Sequence, residues 1–97
     1  MAALSTAALS AEQAAGLLAQ LPDWKIEAGE LVRTFSFDDF VASLGFVNWV
    51  GALAEAAGHH PDIDIRYNRV RLALVTHDAG GLTVKDFELA AKAGKAV

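Results

Sequence analysis

The chain of 97 residues contains no cysteine, which excludes a disulfide scaffold, thiol catalysis and thiolate metal centres. Two prolines and eight glycines are too few and too scattered for a linker or low-complexity tract, and no repeat is visible. No apolar run approaches the ~18 residues of a membrane span. Positive charge is scarce too. Eight Lys and Arg against twelve Asp and Glu leave a net charge of −4, with no basic stripe for direct contact with nucleic acid. The start of the chain lacks the basic segment and long apolar stretch of a signal peptide. Residues 1–9 therefore read as a frayed N-terminus, and the protein as cytoplasmic with no membrane partner.

Apolar residues, by contrast, make up 54% of the sequence. Residues 1–97 read as one domain, long enough to bury roughly 60–70% of its unfolded surface. The apolar excess over one small core points to a homo-oligomer, a dimer or a tetramer.

The order of elements follows from capping and periodicity. Ser10 with Gln13 forms a capping box ahead of Ala14, Leu17, Leu18 and Leu21 at helical spacing, and Pro22 ends that helix. Trp24 to Ala28 and Leu31 to Phe37 read as strands around a Gly29-Glu30 turn. From Asp38 to Ala57 the period becomes helical, with Gly58 as terminator. Phe40, Leu44, Val47, Val50 and Ala54 form one stripe, expected to cover the sheet. Phe46, Trp49 and Leu53 form a second, expected to meet another subunit. Asp62 to Tyr67 alternates polar and apolar residues, and Val70 to Thr76 is β-rich, giving a hairpin around Asn68-Arg69. Thr83 opens a last helix with Asp86 at its third position and Leu82 stapled to Phe87. The order α-β-β-α-β-β-α gives an α+β fold, a four-stranded antiparallel sheet with three helices on one face.

The most informative feature is the histidine distribution. All three, His59, His60 and His77, fall within nineteen residues. Imidazole alone among side chains exchanges a proton near neutrality at its unperturbed pKa of about 6.5. The expected register sets Tyr67 opposite Val70, Ile65 opposite Leu72 and Ile63 opposite Leu74. It also faces His60 with His77, at roughly 5 Å between Cβ atoms. Taken singly, each histidine is better explained as an exposed loop or strand-end residue; their convergence is what suggests a site. Zinc is the rival occupant, but vicinal side chains on an extended segment point to opposite faces, which disfavours joint chelation by His59 and His60. Glu55 is the nearest candidate carboxylate partner for His59. Asp86 is fully explained as a cap, though a carboxylate can also orient an imidazole. Trp24, Trp49 and Tyr67 read first as core, or as platforms for a flat heterocycle.

The run Glu55-Ala-Ala-Gly-His59-His60-Pro61, with Tyr67, His77 and Asp86, closely resembles the signature of the pterin-4a-carbinolamine dehydratases. Residues 24–40 and the stretch from Thr76 to Thr83 are similar to that family as well, so the resemblance covers roughly residues 10–95. Ile63 departs from it, standing where many members carry an aromatic residue. The resemblance implies a dehydratase that removes water from a 4a-hydroxytetrahydropterin to give the quinonoid dihydropterin. It implies neither metal nor cofactor, and a place in recycling the pterin oxidised by aromatic amino acid hydroxylases. It assigns His59, His60, His77, Glu55 and Asp86 as the acid–base set. Pterin-binding positions would be His59, His60, Pro61, Thr76, His77, Asp78 and Ala79. Animal members also bind a homeodomain transcription factor. A non-catalytic pterin-binding or interaction module, such as a transcriptional coactivator or an assembly factor, is therefore the alternative.

Overall fold

A computed structural model describes residues 7–95. The expected fraying of residues 1–6 falls outside that range. By Leu9 the chain is already tied down, because its N–H donates to the Leu82 carbonyl at 2.8 Å and its side chain packs on the core.

Helix α1 spans Ala11–Leu18 and opens with the expected Ser10/Gln13 capping box. Strands β1 (Lys25–Glu27) and β2 (Glu30–Ser36) follow. Their turn sits one residue earlier than expected. Glu27 pairs with Glu30, and Ala28 and Gly29 both take positive φ, 50° and 80°, as a two-residue hairpin of the primed type demands. Helix α2 (Phe40–Ala57) is capped by the Asp39 side chain. The second hairpin is β3 (Asp62–Arg66) and β4 (Arg69–Leu74), and helix α3 (Val84–Gly94) closes the chain. The antiparallel sheet has the order β1-β2-β4-β3.

Within the second hairpin, Ile65 pairs with Val70 and Ile63 with Leu72. The register is thus displaced by two residues from the expected one. The loop is Tyr67-Asn68, and Tyr67 takes the positive φ of 52°. Asn68 instead bonds the Phe37 carbonyl through its side chain at 3.0 Å, which holds the loop against the end of β2. A slip of two preserves side-chain parity, so the apolar face came out right although every pair was wrong.

That face carries Leu31, Phe35, Val70, Leu72 and Leu74 under the helices. Trp24 meets Phe35 edge-on at 5.9 Å, and Phe35 packs on Phe46 at 4.5 Å. Outside, Arg71 reaches across β2 to Glu27 at 3.3 Å, and Lys25 pairs with the same carboxylate at 2.8 Å. The solvent face carries these charged side chains, with Val32 and Ala73 buried on it, and all three helices lie on the other.

Helix α2 corrects the expected stripes. Its core-facing residues are Ser43, Phe46, Val50 and Ala54. Phe40, Leu44 and Trp49 stay exposed at 45%, 38% and 39% of their surface, and Val41 more so. Phe46 thus belongs to the core, and Phe40 and Leu44 to the outer face. By length and composition alone, α2 is also apolar enough to cross a membrane, contrary to the reading of the sequence. In the fold it forms part of the helical layer over the sheet.

Candidate active site

Three chain segments meet at one end of the sheet, and local backbone chemistry fixes each. Helix α2 terminates at Gly58, whose φ of 62° turns the chain. The Gly58 N–H donates to the Glu55 carbonyl at 3.2 Å and the His59 N–H to the Ala54 carbonyl at 3.1 Å. This is the Schellman pattern, which satisfies helix-end carbonyls that would otherwise be orphaned. It locks the backbone of His59 against the last turn of α2. Beyond β4, Thr76 and Gly81 exchange backbone hydrogen bonds at 3.2 and 3.4 Å, enclosing a 3₁₀ turn over His77–Ala79. The third segment is the first turn of α3, with Thr83 as its cap.

Asp86 joins these segments. It is completely buried, and a buried carboxylate is costly unless hydrogen bonds replace its water. Oδ1 accepts from His59 Nε2 at 2.5 Å. Oδ2 accepts from the Thr76 hydroxyl and the Thr83 N–H, both at 2.9 Å. Because the single Thr76 hydroxyl proton goes to Asp86, the 2.8 Å contact between Thr76 and Thr83 hydroxyls must have Thr83 as donor. The Thr83 oxygen then accepts from the Lys85 N–H at 3.3 Å. Every proton in this chain has a direction, ending at the carboxylate. A carboxylate only accepts, so His59 Nε2 carries a hydrogen and Nδ1 is the ring nitrogen left for a ligand.

A second imidazole–carboxylate pair lies beside the first. His60 Nε2 hydrogen-bonds Glu55 Oε2, with both side chains largely in solvent. The carboxylates are thus distributed otherwise than the sequence suggested. Glu55 serves His60, and Asp86, which doubles as the helix cap, serves His59. The helix stops at Gly58, so Glu55 and His59 do not share a helical face.

These residues border a cavity of about 300 Å³, lined by residues 58–60 on one side, 75–78 on the other, and Lys85. That volume lies at the lower end for small-molecule sites. His59, His60 and His77 all line it, together with Thr76 and Asp78. His60 and His77 meet across the cavity rather than as a cross-strand pair, since both lie beyond the last rung, Asp62–Ala73. Pro61 and Ala79 are partly buried but stand outside the lining. Thr76 directs its hydroxyl to Asp86. Tyr67, at the far end of the hairpin and about 17 Å along the strand, is exposed and no platform for this cavity. Trp24 is buried in the aromatic core. Lys85 was not anticipated; its position next to Asp86 in the capping turn was the available signal. Among the described residues, no group of three His, Cys, Asp or Glu side chains has the arrangement of a metal site.

The family model described as pterin 4 alpha carbinolamine dehydratase matches residues 7–96. A provisionally named pterin-4-alpha-carbinolamine dehydratase of Chloroflexus aurantiacus is 68% identical over 83 residues, covering 86% of this chain and 89% of the relative. Another so named, from Acidobacterium capsulatum, is 69% identical over 74 residues, covering 76% of this chain and 80% of the relative. Among solved structures, a transcriptional coactivator/pterin dehydratase from Brucella melitensis superposes with a TM-score of 0.87 at 31% identity, covering 91% of this chain and 96% of that one. A pterin dehydratase-like RuBisCO assembly factor of the alpha-carboxysome shares the fold, with a TM-score of 0.61 at 22% identity over 74% of this chain and 83% of that one. With the family model matched over almost its whole length, the chain belongs to the pterin-4a-carbinolamine dehydratase family.

Proposed function

We propose that the protein dehydrates 4a-hydroxytetrahydropterin to the quinonoid dihydropterin by histidine general acid–base catalysis, within tetrahydropterin recycling. The observation that carries this reading is the meeting of two imidazole–carboxylate pairs, His59–Asp86 and His60–Glu55, with His77 around one small cavity. Hydroxide is a poor leaving group. An imidazolium protonates the 4a-hydroxyl as the C–O bond breaks, so water departs. An imidazole or carboxylate takes the proton from the adjacent ring nitrogen, and that electron pair forms the new C=N bond. One proton is delivered and one collected, so exchange with solvent restores the site. Acid–base help of this kind contributes about 10²- to 10⁴-fold. The chemistry asks for no redox partner, metal or cofactor from the protein.

The remaining assignments belong to the same reading. His59, His60, His77 and Asp78 contact the pterin, while Thr76 acts through Asp86. The exposed apolar face of α2, with Phe40, Leu44 and Trp49, supports a homodimer or homotetramer, and the pathway assigns the protein to the cytoplasm. The hydroxylase that supplies the substrate is a pathway partner rather than a bound one. The competing reading is an interaction module without catalysis, favoured by the double name of the Brucella relative and by that same α2 face. Adding purified protein to the carbinolamine and following its dehydration separates the two. Acceleration over buffer supports the enzyme, and the buffer rate alone rejects it.

A further inference from the structure

Lys85 is the side chain in the cavity that the acid–base reading leaves unused. It is the second residue of α3, directly behind the Thr83 cap. Exposed amide N–H groups make a helix N-terminus positive, so a cation there is disfavoured, whereas Lys92 in the last turn follows the preference. Lys85 is also partly buried, and among the described residues its ammonium makes no ion pair within 4 Å. It lines the ligand cavity and also a side cavity of about 60 Å³ behind His59, which Lys92 and Glu88 border too. A partly buried cation in the first turn of a helix, with Glu88 one turn on yet not in ion-pair contact with it, runs against the helix dipole. Departures of this kind are expected at functional sites. The acidic residue lining the ligand cavity is Asp78, which is exposed; the nearby carboxylates of Glu55 and Asp86 are already paired with histidines.

We propose that Lys85 is the specificity residue of this cavity, selecting a reduced pterin whose side chain bears a phosphate over one whose side chain is neutral. A lysine ammonium is a compact point charge that suits phosphate, whereas the planar guanidinium is the better match to a carboxylate. This inference rests on the pterin reading and adds a substrate class to it.

Calorimetric titration with 7,8-dihydroneopterin and with its monophosphate tests it. The phosphorylated probe should bind about tenfold more tightly, with an advantage that shrinks as salt is raised. Lys85→Gln should bring the ratio of the two affinities close to one, with a Tm at or above that of the unaltered protein. Lys85→Arg should keep part of it. Equal affinity for the two probes, or an advantage that survives Lys85→Gln, overturns the inference while the pterin reading stands. Binding of neither probe overturns both.

Discussion

The two imidazole–carboxylate pairs have the same chemistry and opposite surroundings. His59–Asp86 is sealed under the start of α3, its carboxylate fully buried and accepting three hydrogen bonds. His60–Glu55 lies in the open, its side chains 61% and 79% exposed. Buried charged groups depend on every partner, because removing one strands the others without water. Exposed pairs give little stability, since solvent and salt replace what is lost. The first pair is therefore part of the structural framework, and under the proposed function it is catalytic machinery as well. The second does not hold the fold, which under that proposal leaves it to act on substrate.

This contrast can be broken most sharply at Asp86. Asp86→Ala should strand the Thr76 hydroxyl, the Thr83 N–H and His59, and remove half of a capping box, costing about 3 kcal/mol of stability in chemical denaturation along with activity. Next come the histidines. His60→Ala and His77→Ala should each lower dehydratase turnover at least tenfold while leaving the midpoint of unfolding almost unchanged, because both are exposed. Glu55→Gln should be milder, a few-fold in turnover and within about 0.5 kcal/mol in stability. If Glu55→Gln destabilised the fold as much as Asp86→Ala, the distinction drawn here would be wrong.

The surfaces away from the site give two further expectations. Trp49→Glu should shift sedimentation towards smaller species if the outer face of α2 joins subunits; a chain that is monomeric before the change would contradict that assembly. The smallest effect is at Glu27, whose carboxyl is held below its ordinary value first by the hydrogen bond from Lys25 and its charge, then by Arg71. A depressed carboxyl pKa adds stability above the ordinary carboxylate range, and that contribution fades as pH falls through the folded value. Glu27→Gln should therefore lower stability slightly at neutral pH and not at all in strong acid, as paired urea titrations would read.

Much of this was legible in the residues. Ser10 with Gln13 and Thr83 with Asp86 announced two helix starts, Gly58 a helix end, and alternation the two hairpins. The errors have physical causes. Helix α2 is apolar almost all round, so no polar face marks its outside. The core side is selected instead by the small residues Ser43 and Ala54, which let the backbone approach the sheet alongside Phe46 and Val50. The hairpin register differs from a loop at Asn68-Arg69 because Tyr67 takes the positive φ and Asn68 binds the Phe37 carbonyl. The three histidines pointed to one place without the correct register, since the Schellman turn and the 3₁₀ turn, rather than a strand pair, bring them there. The pairing of His59 with Asp86 spans 27 positions. It depends on how α3 docks, which local pattern does not encode.

Whether these two pairs and His77 form a working acid–base site is decided by pre-steady-state dehydration of the 4a-carbinolamine. The account predicts acceleration well above the buffer rate by the unaltered protein, at least a tenfold loss in His77→Ala, and folding equal to the parent in that variant. Dehydration at the buffer rate, or undiminished turnover in a folded His77→Ala variant, would contradict it.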